Sequence, residues 1–151
     1  MAVNPSRTPQ GCTNYKIRQL MRQISLHYDA EIGKAGLKGT QYALMGHVRQ
    51  LGPIRPSDLA QVLRLDASTL TRNLKPLVEA GWLQIAAGAD GRSRSITITE
   101  AGRDKYSEAQ RYWKAAQEHI NQTLGTDRVL ALHALIDGAL ELLAANRGKA
   151  D

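Results

Sequence analysis

The chain has 151 residues and a formal net charge of +6, from 20 Lys and Arg against 14 Asp and Glu. This length suits one domain with its own core and leaves no room for a second, catalytic domain. The basic balance favours an anionic partner such as nucleic acid or, less specifically, a membrane surface. The single cysteine, Cys12, excludes an intrachain disulfide framework and fits a reducing cytoplasm.

The sequence predicts neither a signal peptide nor a membrane span. The most apolar segment, residues 129–143, is interrupted by His133, Asp137 and Glu141. We therefore expect a cytoplasmic protein without a membrane partner.

The N-terminal third predicts a tail and two helices. Residues 1–11 contain two prolines and little to bury, which is typical of a mobile tail. Apolar residues then recur at helical spacing over residues 13–32, before the glycines at 33 and 36. A second helix follows with Thr40 as its expected N-cap, and it ends before Gly52 and Pro53.

Residues 54–78 show a helix-turn-helix pattern. A short helix begins at Pro56, a residue favoured at the first helical position, and Asp66 is suited to cap the next helix. In that next helix, leucines at 70, 74 and 77 form one inward stripe. The outward side carries hydroxyls and long cations suited to base edges and phosphates. These residues are Ser68, Thr69, Thr71, Arg72 and Lys75.

A short hairpin follows this helix directly. Residues 82–85 and 95–99 predict two strands, and Asp90 and Gly91 supply turn chemistry between them. Arg92 and Arg94 are expected to project from the hairpin. A recognition helix followed by a basic two-stranded wing is how a compact domain reads DNA in both grooves.

Two long helices are predicted to complete the chain, over residues 100–124 and 126–146. Thr99 is suited to cap the first, and Gly125 separates the two. The last helix is apolar almost all round, so something must cover it, and a second copy of the chain is the simplest cover. We thus expect a mostly α fold with a small β-wing, in which a winged helix-turn-helix domain is joined to intertwined N- and C-terminal dimerisation helices.

Six short segments occur in a fixed order along the chain, namely GLKGTQY (36–42), SDLA (57–60), STLTR (68–72), EAGWL (79–83), DGRSR (90–94) and TEAG (99–102). Together they resemble the MarR family (multiple antibiotic resistance regulators) of bacterial transcription factors. The resemblance covers most of residues 12–151, with the winged helix-turn-helix at about 37–99 and dimerisation helices at about 13–32 and 100–146. It implies a homodimeric repressor on a pseudo-palindromic double-stranded DNA operator, released by a small aromatic or lipophilic ligand or by oxidation.

The resemblance also assigns roles to single residues. It makes Arg94 or Arg92 the minor-groove arginine and has Asp90 brace the wing through an ion pair. It places the DNA contacts of the recognition helix on the outward polar residues named above, at positions 68, 69, 71, 72 and 75. The alternative is that the arginines are solvated turn charges, and that the hydroxyls near the helix start only cap it.

Cys12 is a candidate redox sensor. Some MarR proteins sense peroxide through a cysteine near the start of the first helix, and one subgroup resembles this chain from Gly11 through Leu20. That subgroup has a second cysteine where Asn14 stands here. A position beside Lys16 at a helix N-terminus favours the reactive thiolate, whereas the alternative is an incidental free cysteine.

A ligand cavity is expected between the dimerisation helices and the winged domain, with ordinary packing as the alternative reading of each lining residue. The candidates are Tyr28, Met45, His47, Arg49 and Trp113.

No metal site, cofactor or enzymatic activity is expected. The four histidines show no i, i+4 pair, and the sequence shows no phosphate-binding glycine loop and no nucleophile with a nearby base. The alternative function is a winged-helix protein-interaction or dimerisation module without sequence-specific DNA binding.

Overall fold

Six helices and one two-stranded antiparallel sheet follow the predicted order in the computed structural model, which describes residues 9–88 and 90–148. The predicted fold class, mostly α with a small β-wing, is confirmed. Residues 1–8 of the predicted tail lie outside the described residues. The elements are α1 (Thr13–Ile32), α2 (Gly39–Leu51), α3 (Pro56–Leu63), α4 (Ala67–Glu79), β1 (Leu83–Ala87), β2 (Arg94–Ile98), α5 (Glu100–Leu124) and α6 (Thr126–Arg147), with a 3₁₀ turn at Gly33–Ala35.

The hairpin differs from its prediction at its edges. Trp82 donates its backbone N–H to Leu77 O (3.0 Å) and so closes the end of α4 instead of starting β1. The strands pair from Leu83 opposite Ile98 to Ala87 opposite Arg94, which places Arg94 inside β2. The prediction relied on alternation of apolar and polar residues. Residues 86–87 and 94 show no such alternation, and only pairing with the opposite strand makes them part of the sheet.

A third extended residue supports the sheet from outside. Ile54 exchanges two backbone hydrogen bonds with Ile96, at 3.1 and 2.8 Å. Arg55 follows directly and precedes α3, so the chain entering the helix-turn-helix is attached to the wing.

The core is formed where α2, α3 and α4 pack on the inner face of the sheet. The predicted stripe of α4 is buried at Leu70, Leu74 and Leu77, and Met45 of α2 is fully buried. Leu51, the last residue of α2, is 40% exposed because the chain turns away at Gly52.

Side-chain caps fix the starts of α4 and α5. Asp66 accepts the backbone N–H of Thr69 (2.8 Å), and Thr99 Oγ1 accepts that of Gly102 (3.0 Å), both as predicted. The expected cap of α2 was wrong. This helix begins at Gly39 with Lys38 as the N-cap residue, and Lys38 N–H donates to Gln41 Oε1 (2.9 Å), so Thr40 already lies inside the helix.

Helices α1 and α6 leave large apolar side chains uncovered in one protomer. In α6 only Val129 is buried. Met21 of α1 is 56% exposed, and Leu135 of α6 is 73% exposed. An exposed apolar surface of this kind marks a site of interaction with a protein or a membrane.

The prediction that no segment could cross a membrane was wrong. By length and composition, α6 is the one such helix among the described residues. Asp137 and Glu141 are too few to break its apolar character, and 22 residues of helix extend about 33 Å, against about 30 Å of hydrocarbon in a bilayer. The same composition suits a helix that packs against another protein.

Candidate nucleic-acid interface

The first turn of α4 is organised by its capping aspartate. Asp66 accepts hydrogen bonds from Ser68 Oγ (2.6 Å), Thr69 Oγ1 (2.7 Å) and Thr69 N–H. The Ser68 bond, followed by those of Thr69, holds the pKa of this carboxyl well below its usual value. Both hydroxyls therefore have local partners, which agrees with the capping alternative for these two residues.

The cations of α4 lie farther along the same exposed side. Arg72 is exposed and reaches Thr69 Oγ1 through Nη2 at 3.4 Å, and Thr71 Oγ1 donates to Ala67 O (2.9 Å). Lys75 forms only a loose, exposed ion pair with Glu79 at 3.9 Å. Because exposed pairs of this kind are weak, the α4 cations are available to a phosphate.

Asp90 shapes the turn of the wing. Its Oδ1 accepts from Ser93 N–H (2.9 Å), Ser93 Oγ (2.7 Å) and Arg92 N–H (3.1 Å). The two Ser93 bonds lower the pKa of Asp90 to about 2. The resemblance has Asp90 brace the wing through an ion pair, but in the described part of the chain no salt bridge joins Asp90 to Arg92 or Arg94, the turn itself holds the carboxylate, and both wing arginines are exposed.

The structure adds two cations that the sequence did not single out. Arg55 acts electrostatically on Asp90, which places its charge near the wing. Lys38 and Arg72 line a small polar cavity of about 150 Å³ between the start of α2 and α4. Tertiary packing brings Lys38 to α4 and Arg55 to the wing, because neither residue belongs to a local turn or stripe signal.

A larger cavity of about 610 Å³ lies between α1, α2 and α5, where a ligand site was expected. Tyr28, His47 and Trp113 line it as predicted. Met45 and Arg49 do not. Met45 is buried on the core side of α2, and the Arg49 guanidinium lies over the ring of Tyr106, with 5.2 Å to the centroid.

Aromatic side chains dominate this cavity. The rings of Tyr42 and Tyr106 stack with 4.7 Å between centroids, and Trp113 follows at 6.2 Å from Tyr42. Burial, followed by the neighbouring Tyr106 hydroxyl, raises the pKa of Tyr42. Tyr28 donates its hydroxyl to Gln117 Oε1 (2.6 Å), and burial raises the pKa of Tyr28 as well. Both phenols are therefore neutral at physiological pH.

Cys12 occupies the N-cap position of α1 and is exposed. Its carbonyl accepts the backbone N–H of Lys16 (3.1 Å), so the two predicted neighbours are one helical turn apart. A sensor role stays a prediction.

Two histidines that are far apart in sequence meet in the fold. The rings of His27 on α1 and His119 on α5 lie 4.9 Å apart between centroids. No group of three or more metal-ligating side chains occurs within residues 9–88 and 90–148.

Comparison with known proteins identifies the family. A model of the MarR family matches residues 35–93. The HTH-type transcriptional regulator YwoH of Bacillus subtilis is 30% identical over 94 residues, which cover 62% of this chain and 69% of the relative. The chain belongs to the MarR family. YxaD of the same organism, also named an HTH-type transcriptional regulator, is 27% identical over 124 residues, or 78% of this chain and 86% of the relative.

Solved MarR structures share the fold over most of its length. The transcriptional regulator MosR of M. tuberculosis, solved in complex with DNA, has a TM-score of 0.74 and 29% identity, covering 88% of this chain and 98% of that one. A variant of MarR from E. coli with operator DNA has a TM-score of 0.77 at 20% identity, covering 84% and 92%. The protein is thus a transcriptional regulator of the MarR family and not an enzyme, as predicted.

Proposed function

We propose that the protein binds double-stranded DNA as a homodimer and represses transcription from a pseudo-palindromic operator in the cytoplasm. The observation that carries the proposal is the exposed polar side of α4, followed by a wing whose two arginines are exposed and whose turn is held by Asp90. In such a domain the helix enters the major groove while the wing arginine enters the minor groove. The DNA complex of the 29% identical relative MosR supports the same partner.

The uncovered helices support the dimer. Large apolar side chains of α1 and α6 are exposed in one protomer, and a second copy would cover both surfaces by two-fold symmetry. Two recognition helices would then face half-sites roughly one DNA turn apart.

The cavity supports release by a small molecule. Its walls come from α1, which belongs to the proposed dimer interface, from α5, which packs on α1, and from α2, which packs on α4. A ligand that favours one arrangement of these helices would change the spacing of the two recognition helices and thereby the DNA affinity.

Oxidation of Cys12 is the second proposed signal. It is tested by comparing DNA binding of peroxide-treated wild type with treated Cys12→Ser, and equal binding would contradict it.

Substitution of the wing arginine tests the DNA interface. A duplex is first selected from a random pool by the wild-type protein, and affinities are then measured as a function of salt. We expect Arg94→Ala to weaken binding about tenfold and to reduce the slope of log K against log salt by about one, because one phosphate or groove contact is lost.

Arg111→Ala provides the matched control, since Arg111 is an exposed arginine of α5 outside the candidate interface. It should keep the affinity and the salt slope of the wild type. An unchanged slope in Arg94→Ala would remove this residue from the interface. If the wild type selects no duplex at all, the protein-interaction module becomes the better reading.

A further inference from the structure

Among the described residues that line the large cavity, Asp29 of α1 is acidic and none is Lys or Arg. Arg49 lies beside the cavity, over the ring of Tyr106, without lining it. The charge of the cavity lining is thus opposite in sign to the net charge of the protein, which is +6. This difference bears on which charge a ligand of the cavity should carry.

The start of α2 also borders the cavity, and a helix N-terminus ordinarily attracts an anion. Here that position is already taken. Asp29 Oδ1 accepts the backbone N–H of Gly39, the first residue of α2, at 2.8 Å. The cavity therefore offers an incoming anion neither a side-chain cation nor this helix end.

The aromatic stack already holds one cation. Tyr106 lies against Gly46, with 3.2 Å between its ring and a Cβ built there, and Tyr42 and Arg49 stand on either side of Gly46 along α2. The Tyr106 ring stacks on that of Tyr42, and the Arg49 guanidinium also lies over the Tyr106 ring. Trp113, at the opposite end of the stack, lines the cavity.

We propose that this cavity binds a lipophilic cation, such as a quaternary ammonium carrying an aromatic arm. Cations bind to the faces of tryptophan and tyrosine, and desolvation by an apolar wall strengthens the attraction. Trp113 and Tyr28 line the cavity and provide such faces, and Asp29 provides the counter-charge. A volume of about 610 Å³ accommodates such a molecule. The inference rests on the proposed function only for its consequence, namely release from DNA.

Calorimetric titration of the full-length protein without DNA tests the ligand class. The probes are benzyltrimethylammonium, its neutral isostere neopentylbenzene, and benzoate. We expect the cation to bind about tenfold more tightly than either of the others, because only the cation gains from the rings and the carboxylate.

Asp29→Asn tests the role of the carboxylate while keeping the fold. The amide oxygen of asparagine can still accept the Gly39 N–H, so the start of α2 is preserved. We expect the variant to bind the cation about three- to tenfold more weakly and the neutral isostere as before. Asp104→Asn makes the same charge change at an exposed site of α5 that does not line the cavity, and should bind as the wild type does.

The proposal is overturned if benzoate or the isostere binds as tightly as the cation, if no probe binds, or if Asp29→Asn leaves cation affinity unchanged. A separate measurement of DNA affinity at saturating benzyltrimethylammonium addresses the regulation. Tight cation binding without DNA release would confirm the ligand class and contradict the proposed response.

Discussion

Two aspartates at the proposed DNA surface act through hydrogen bonds and not through ion pairs. Asp66 orders the first turn of α4 and Asp90 orders the turn of the wing. Each accepts a serine hydroxyl, and Asp66 accepts one backbone N–H where Asp90 accepts two. Because these bonds are stronger to the ionised carboxylate than to the neutral acid, the charge of a single side chain strengthens each turn.

The wing turn should loosen in acid. The pKa of Asp90 in the folded wing, about 2, lies below its ordinary value of 3.8, so the carboxylate stabilises the wing fully above about pH 4. That contribution is lost as the pH falls from about 4 through about 2. An NMR titration of the Asp90 carboxyl carbon should give a midpoint near 2, and the amides of Arg92 and Ser93 should shift with it. A midpoint at 3.8 or above would show that the hydrogen bonds do not hold the turn in solution.

At the scale of elements, the start of α5 determines how the wing is attached to the long helices. Thr99 caps α5 and also donates its hydroxyl to Gly81 O (2.6 Å), so one side chain joins the helix to the turn before β1. Gly102, three residues later, packs directly beneath that turn. A Cβ at this position would overlap the carbonyl oxygen of Trp82 and lie 2.8 Å from Ile98 Cγ1.

Alanine at position 102 should therefore destabilise the fold. We expect Gly102→Ala to lower the free energy of unfolding by about 2 kcal/mol or more, because the clash involves backbone and cannot be relieved by a rotamer change. Urea denaturation measures it. Gly33→Ala is the matched control, since Gly33 has helical backbone angles and nothing lies within 4 Å of its added Cβ. The control should raise stability by up to about 1 kcal/mol, and equal effects in both variants would contradict the proposed packing.

At the scale of the whole molecule, the uncovered faces of α1 and α6 decide whether one protomer is a complete unit. Arg64, in the turn between α3 and α4, donates to Leu140 O of α6 at 2.9 Å. Helix α6 is therefore linked directly to the turn that precedes α4. A change in the position of α6 at an interface would therefore act on the start of α4 through this hydrogen bond.

A charge on α6 should separate the proposed dimer. Leu135→Glu places a carboxylate on a side chain that is 73% exposed in one protomer, so the protomer itself should fold normally. We expect sedimentation velocity to show a monomer and DNA affinity to fall about a hundredfold, because two linked half-site contacts become one. Thr123→Glu makes the same charge change on an exposed position of α5 and should stay dimeric. A Leu135→Glu variant that sediments as a dimer would exclude α6 from the interface.

The sequence predicts the helices well because local signals delimit them. Asp66, Thr99 and Pro56 stand at helix starts, and the leucine stripe of α4 identifies its buried side. The features that sequence missed depend on tertiary distance. The position of Arg49 over Tyr106 and the cavity charge of Asp29 require α1, α2 and α5 to be packed together, and no spacing along one helix reports that.

The pairing of α1 with α5 has a consequence for the order of events during protein synthesis. α1 packs chiefly against α5, and the hydrogen bond between Tyr28 and Gln117 joins residues 89 positions apart. A ribosome completes α1 first and its partner only after the entire helix-turn-helix and hairpin have been made. The winged unit can therefore begin to fold while α1 still presents its apolar side to other nascent chains. The time needed to translate residues 39–98 thus sets how long α1 remains without α5 to pack against.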